Sequence, residues 1–183
     1  MVIKKNNRCI KMLLPNNKVV DILSVVFDEI YKWIQAESDN PESGGFIVGY
    51  EHKNSGNISL EDVSHPYALD PKNQVRFNIV DPRHKAFLKK ASRKKSYYMG
   101  TWHTHPQTVP VPSSIDWEDW HASMLLDRAG SQFMFFVIAG TEEVRVWVGD
   151  SESGEINEIF EVEKDEEGLY IEKAKEKEQC TKR

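Results

Sequence analysis

His103 and His105, separated by a single residue, are the pair in this chain best placed to do chemistry. Histidine is the commonest protein metal ligand, and side chains on a strand alternate faces, so a His-x-His pair sends both rings to one side. Thr104 then points the other way. Prolines at 106, 110 and 112 end the strand and stiffen the exit, and Ser113-Ser114-Ile115-Asp116 starts the next helix. Asp116, in the first turn of that helix, supplies a carboxylate as a third ligand. Two imidazoles and one carboxylate leave a coordination position open, which is the pattern of a catalytic zinc site and not of a closed structural one. Such a site needs a base. Glu42, framed by Pro41 and by Gly44-Gly45 at the mouth of a strand, is the candidate, with Glu37 on a helix and Glu51 in a hairpin as weaker rivals. The residues therefore imply a mononuclear zinc hydrolase centre. Two bland readings stand beside it: Ser113-x-x-Asp116 is also a helix capping box, and two histidines with a carboxylate also describe a non-haem iron triad.

The elements that must hold these residues follow from hydrophobic periodicity. Cys9–Leu14 is expected to be a strand, stopped by Pro15. From Val19 to Glu37, Ile22, Val26, Ile30 and Trp33 recur at helical spacing, which predicts an amphipathic helix ended by Ser38-Asp39-Asn40-Pro41. Phe46–Tyr50 and Ile58–Val63 are predicted strands joined by the turn residues Asn54-Ser55-Gly56-Asn57. His65–Asn73 is expected to be a loop and Val75–Val80 a strand. Asp81-Pro82 caps a helix running to about Lys95. Tyr97–His105 is the strand that carries the histidines, and Ser113–Arg128 the helix that carries the aspartate. Phe133–Ala139, Val144–Val148 and Ile156–Val162 look like a closing antiparallel meander. The pattern predicts an α+β fold: one curved, largely antiparallel or mixed sheet flanked by about three helices.

Composition narrows the function further. At 183 residues, 39% hydrophobic and 29% charged, the chain suits one domain, with boundaries expected at 1–165 and a charged tail at 166–183 that adds at most a short, partly mobile helix. A net charge of −5 argues against a nucleic-acid binder that relies on a positive field. No apolar run approaches the roughly 20 residues that span a bilayer, and the N-terminal segment lacks a signal-peptide core, so a cytoplasmic protein without membrane contact is expected. Cys9 and Cys180 are too few for a thiolate cage, and Cys9 is expected to be plain packing. His52, His65, His84 and His121 default to surface or packing roles. Trp102, Trp117 and Trp120 are read as core. Lys89-Lys90 and Arg93-Lys94-Lys95 are read as a solvated helix end.

Glu42 followed by Gly45 and an apolar strand, then His103-Thr104-His105-Pro106 and Ser113-x-x-Asp116, resembles the JAMM/MPN-domain metalloproteases, the JAB-type isopeptidases. The likeness covers roughly Cys9 to Val162. It implies a fold with a layout like that of the cytidine deaminases, a single Zn2+ on His103, His105 and Asp116, Glu42 as general acid/base, and Ser113 steadying the oxyanion. It also implies cleavage of an amide or isopeptide bond after a ubiquitin-like protein. The small size is similar to prokaryotic JAB proteins, some of which accompany activating- and conjugating-like enzymes in anti-phage operons, and implies partners of that kind. Two alternatives remain within the resemblance: a non-catalytic MPN-like module that binds a ubiquitin-like partner, and a hydrolase acting on a sulfur-carrier or small-molecule amide.

Overall fold

The computed structural model describes residues 9–35, 40–73 and 76–173. Its strands are β1 (Ile10–Leu13), β2 (Val19–Ile22), β3 (Gly44–Glu51), β4 (Ile58–Val63), β5 (Lys72–Asn73), β6 (Arg76–Phe77), β7 (Tyr97–Thr104), β8 (Phe133–Ala139), β9 (Val144–Asp150), β10 (Ile156–Ile159), β11 (Val162–Lys164) and β12 (Tyr170–Glu172). The helices are α1 (Ser24–Ile30), extended by a 3-10 turn over Tyr31–Trp33, α2 (Pro82–Ser92) and α3 (Ser114–Leu126).

Eight strands form one sheet in the order β1-β2-β4-β3-β7-β8-β9-β10. Only β2–β4 and β7–β8 run parallel within it. The fold is α+β, with a large, curved, mixed sheet and three helices. The run Phe133-Met134-Phe135-Phe136-Val137-Ile138-Ala139 shows how the layers form. Every residue of β8 is buried, the odd-numbered ones in one cluster with Val26, Phe27 and Ile30 of α1, the even-numbered ones in another with Trp120 of α3. A strand covered on both faces reads as continuously apolar because alternation has no solvent side to show. α1 therefore lies on one face and α3 on the other. α2 shares the α3 side: its His84 packs edge-on against Phe46, which meets Tyr98 of the α3 cluster.

Several expectations are corrected here. Val19–Ile22 is a strand, not the first turn of a helix, because it pairs antiparallel with β1 and parallel with β4. α1 starts only after Leu23, which makes no side-chain cap. Val75–Val80 shrinks to the two-residue ladder β5–β6, with Lys72 opposite Phe77, and Ile79 and Val80 run on as coil. Val162–Lys164 and Tyr170–Glu172 pair as a small hairpin of β11 and β12, which takes in the first part of the expected tail. Cys9 is exposed, its Sγ 3.8 Å from an Asp21 oxygen, so it does not pack into the core. Glu37, Ser38, Asp39, Val75, Cys180 and the rest of 174–183 lie outside the described residues. Among the described residues no helix is long and apolar enough to cross a membrane.

Candidate metal centre

The centre is assembled where β3 and β7 start and stop. The two strands pair antiparallel with Gly44 opposite His103 and Gly45 opposite Trp102, so the residues just before β3 lie beside the histidines. β7 is held on its other side by β8, with His103 opposite Ile138, and the His105 amide continues that ladder by donating to the Ala139 carbonyl at 2.9 Å. Both neighbours are buried strands, so the histidines sit on rigid backbone. Two glycines allow this close fit. Gly100, at φ +143°, would put a Cβ 1.8 Å from the Phe135 carbonyl oxygen, and a Cβ on Gly45 would come 2.1 Å from the Ser64 carbonyl oxygen. Neither position accepts a side chain without moving backbone.

Thr104, the residue between the histidines, is fully buried and ties Ser43, the residue after Glu42, to the strand of the two histidines. Its Oγ1 accepts from the Ser43 amide at 3.0 Å, and its own amide donates to the Ser43 carbonyl at 2.9 Å. The Glu42 amide donates to the Asn73 carbonyl at 2.8 Å. Sequence reasoning saw Thr104 only as pointing away. No local spacing marks its role, because its partner Ser43 lies 61 residues away in sequence.

Asp116 arrives from the other direction, on the first turn of α3. Ser113 is the N-cap: its Oγ accepts from the Asp116 amide at 3.2 Å, and its amide donates to Asp116 Oδ2 at 2.6 Å, closing a full capping box. Ser113 Oγ also donates to Asp116 Oδ2 at 2.7 Å. The capping and ligand readings are thus compatible, since the cap is what aims the carboxylate.

The three donors converge. His103 Nε2 lies 3.1 Å from His105 Nε2 and 3.1 Å from Asp116 Oδ1, and His105 Nε2 lies 3.5 Å from Asp116 Oδ2. Tetrahedral zinc with bonds of 2.0–2.1 Å needs ligand atoms about 3.3 Å apart. The donor set matches that spacing and chemistry, so His103, His105 and Asp116 fit a zinc ion. Among the described residues they are the group of His, Cys, Asp or Glu side chains that could hold a metal ion. Glu42, itself buried, places Oε1 3.7 Å from His105 Nε2.

Electrostatics separates the two carboxylates. Burial pushes the Glu42 carboxyl up to about 7, with His103 opposing the shift and the Asp116 charge adding to it. Burial also acts to raise Asp116, but the bonds and charge of His103 and the two bonds from Ser113 outweigh it and hold Asp116 far below the usual carboxylate range. Burial and the neighbouring His103 lower His105. One carboxylate is thus kept ionised beside the two histidines, while the other sits near neutrality, where a group can both take and return a proton. A cation bound nearby would lower Glu42 again.

A groove of about 380 Å³ leads away from this centre. Its floor includes Phe46, Tyr98 and Trp102, one wall is α3 from Ile115 to Leu126, and the other is Phe77, Asn78 and Ile79. Trp102 and Trp120 are buried core residues that also line it, and Trp120 stacks on Phe136 at 4.8 Å. Glu51 is exposed at the far end of β3, away from the ligands. Of the unassigned histidines, His52 bonds Ser59 Oγ at 2.9 Å, His121 lies on the surface against the Trp117 carbonyl, and His65 stacks on Trp33. His84 is different: it is buried and fully hydrogen-bonded. The cluster from Lys89 to Lys95 is solvated along its charged positions.

Three curated relatives are similar to this chain in sequence. A protein named CD-NTase/cGAS isopeptidase from Vibrio cholerae is 26% identical over 137 residues, covering 73% of this chain and 83% of that protein. A protein of the same name from Escherichia coli is 24% identical over 147 residues, covering 79% and 88%. Another of that name, from Pseudomonas aeruginosa, is 30% identical over 91 residues, covering 48% and 56%. The family described as prokaryotic homologs of the JAB domain matches residues 23–149, which span Glu42, both histidines and Asp116. This chain belongs to that family, the prokaryotic JAB-domain proteins.

Proposed function

We propose that the protein is a zinc-dependent isopeptidase that hydrolyses an amide in a CD-NTase conjugate. The observation that carries this reading is the convergence of His103, His105 and Asp116 with the buried Glu42 carboxylate 3.7 Å from His105. The name of the three relatives supports the choice of substrate. A ubiquitin-like protein, which the motif resemblance implies, is the competing partner.

His103, His105 and Asp116 would hold the ion. Zinc, when bound, supplies a Lewis acid that polarises a carbonyl and makes water a better nucleophile near neutral pH. Glu42 takes the proton from the attacking water and returns it to the departing amine, so one carboxyl serves both half-steps. Ser113 Oγ, at the mouth of α3, gives its one proton to Asp116 Oδ2, and on turning from that carboxylate it would donate toward the oxygen that gains charge. The apolar groove floor and α3 hold an extended substrate segment and exclude bulk water from the reacting carbonyl. No covalent enzyme intermediate is required. An iron oxygenase would have no use for a base beside the ligands, and the placement of Glu42 favours hydrolysis.

The test incubates the purified protein with a CD-NTase conjugate and, in parallel, with a ubiquitin-like fusion, each with and without chelator. Cleavage of the first that stops with chelator and returns with zinc supports the reading. Cleavage of only the second would move the substrate, and chelator-insensitive cleavage would remove the metal from the account.

A further inference from the structure

Ser64, His84 and Asp70 form a buried chain that the proposed chemistry does not use. Ser64 Oγ lies 2.7 Å from His84 Nδ1, and His84 Nε2 lies 2.8 Å from Asp70 Oδ2. The three residues are 1%, 1% and 5% exposed. Asp70 also accepts from the amides of Tyr67 at 2.7 Å, Val80 at 3.0 Å and Asp81 at 2.9 Å. A carboxylate with that many donors fixes the His84 proton on Nε2, and Nδ1 then accepts the Ser64 hydroxyl. The order serine, histidine, aspartate is that of a nucleophilic triad, but Ser64 cannot serve as one. Its Oγ already accepts from the Phe46 amide at 2.8 Å, its carbonyl accepts from Trp102 Nε1 at 2.9 Å, and it is enclosed.

What the chain does is mechanical. His84 is the one buried side chain of α2, an eleven-residue helix that otherwise turns half-buried or exposed residues to the sheet. The deepest anchor of the helix is therefore a polar group, at the head of the half-buried stripe of Phe87, Leu88 and Ala91. Asp70 gathers both ends of the segment 65–81 through the Tyr67, Val80 and Asp81 amides, while Asp81 accepts from the Leu69 amide at 3.2 Å. That segment supplies Phe77, Asn78 and Ile79, the wall of the groove facing α3. Ser64 joins the mooring to β3 at Phe46, a floor residue of the same groove.

We propose that Ser64, His84 and Asp70 are positioning residues that hold Phe77, Asn78 and Ile79 as a fixed wall of the substrate groove. The proposal rests on the reading of that groove as the substrate's binding place. Glu42 is clamped to β7 through Ser43 and Thr104, and only its amide reaches the moored segment, at the Asn73 carbonyl, so loss of the network acts on substrate affinity first and on turnover less.

The experiment compares wild type with Ser64→Ala, His84→Phe and His84→Gln, reading zinc content, kcat and KM on the CD-NTase conjugate, and amide hydrogen exchange. His84→Phe and Ser64→Ala keep one zinc per chain, raise KM about tenfold or more with a smaller change in kcat, and speed exchange within 65–81 but not in β8 and β9. His84→Gln, whose amide still donates toward Asp70, recovers part of the KM. An unchanged KM, or exchange that rises evenly over the whole chain, overturns the proposal, because the network would then be general fold support. Should His84→Phe fail to fold, Ser64→Ala and His84→Gln give the same comparison. A wild-type protein that binds zinc yet cleaves no conjugate would count against the proposed function instead, and exchange within 65–81 still decides whether the wall is moored here.

Discussion

Glu42 and Asp116 are carboxylates in one site with opposite assignments, and their surroundings explain why. Asp116 is held ionised by His103 and by both polar groups of Ser113, whereas Glu42 has burial acting on it and no such set of donors. The account predicts that Glu42→Gln still takes up one zinc but loses kcat by roughly 10²–10⁴-fold, the usual contribution of a general acid/base. Equal loss of metal and activity would make Glu42 a ligand instead. Asp116→Ala should weaken zinc binding by more than the roughly 10–100-fold typical of an outer-shell partner, read by calorimetric titration of the metal-free protein. The convergence of His103, His105 and Asp116 was legible because a His-x-His strand end and a capped helix start each have a local signature. Thr104 and His84 were not. Their partners, Ser43 in one case and Ser64 with Asp70 in the other, lie far away in sequence or on another element, and no local spacing marks them.

At the scale of elements, the β3–β7 register carries the site, since it sets Glu42 against the histidines. Thr104→Val keeps the shape but leaves the buried Ser43 amide without its acceptor. It should lower stability by about 1–3 kcal/mol, measured by denaturant midpoint, with Thr104→Ser recovering most of the loss. β2 shows why part of this layer was hidden. Ile22, Val26 and Ile30 keep helical spacing across the real boundary between β2 and α1, and Leu23 offers no capping side chain to mark the break. What makes Val19–Ile22 a strand is its pairing with β1 and β4, a non-local fact. α2 and α3 were easier, because Asp81 and Ser113 are caps that sequence alone identifies. The parallel partnership of β7 with β8 across α3 places Asp116 beside the strand that holds the two histidines.

For the whole molecule, the α+β class and the helix–strand order could be read from alternation and caps, whereas the strand order in the sheet depends on long-range pairing. The acid stability of the fold also follows from specific groups. Burial acts to raise Asp70, but the amides of Asp81 and Tyr67, the His84 ring and the Val80 amide outweigh it. Bonds from Arg83 hold Asp81 below the ordinary range against burial. Depressed folded-state values mean that these groups stabilise the fold fully above the unfolded value of about 3.9, and that this contribution is lost as pH falls through it. The melting temperature should therefore drop below about pH 4, and Asp70→Asn, less stable at neutral pH, should show a shallower acid limb. The central claim is that one zinc ion on His103, His105 and Asp116 makes this chain an isopeptidase. Its most direct test adds zinc stepwise to metal-free protein in the presence of a CD-NTase conjugate. The account predicts that cleavage rises to a plateau at one zinc per chain and stays absent in Glu42→Gln. Cleavage by the metal-free protein at the full rate would contradict it.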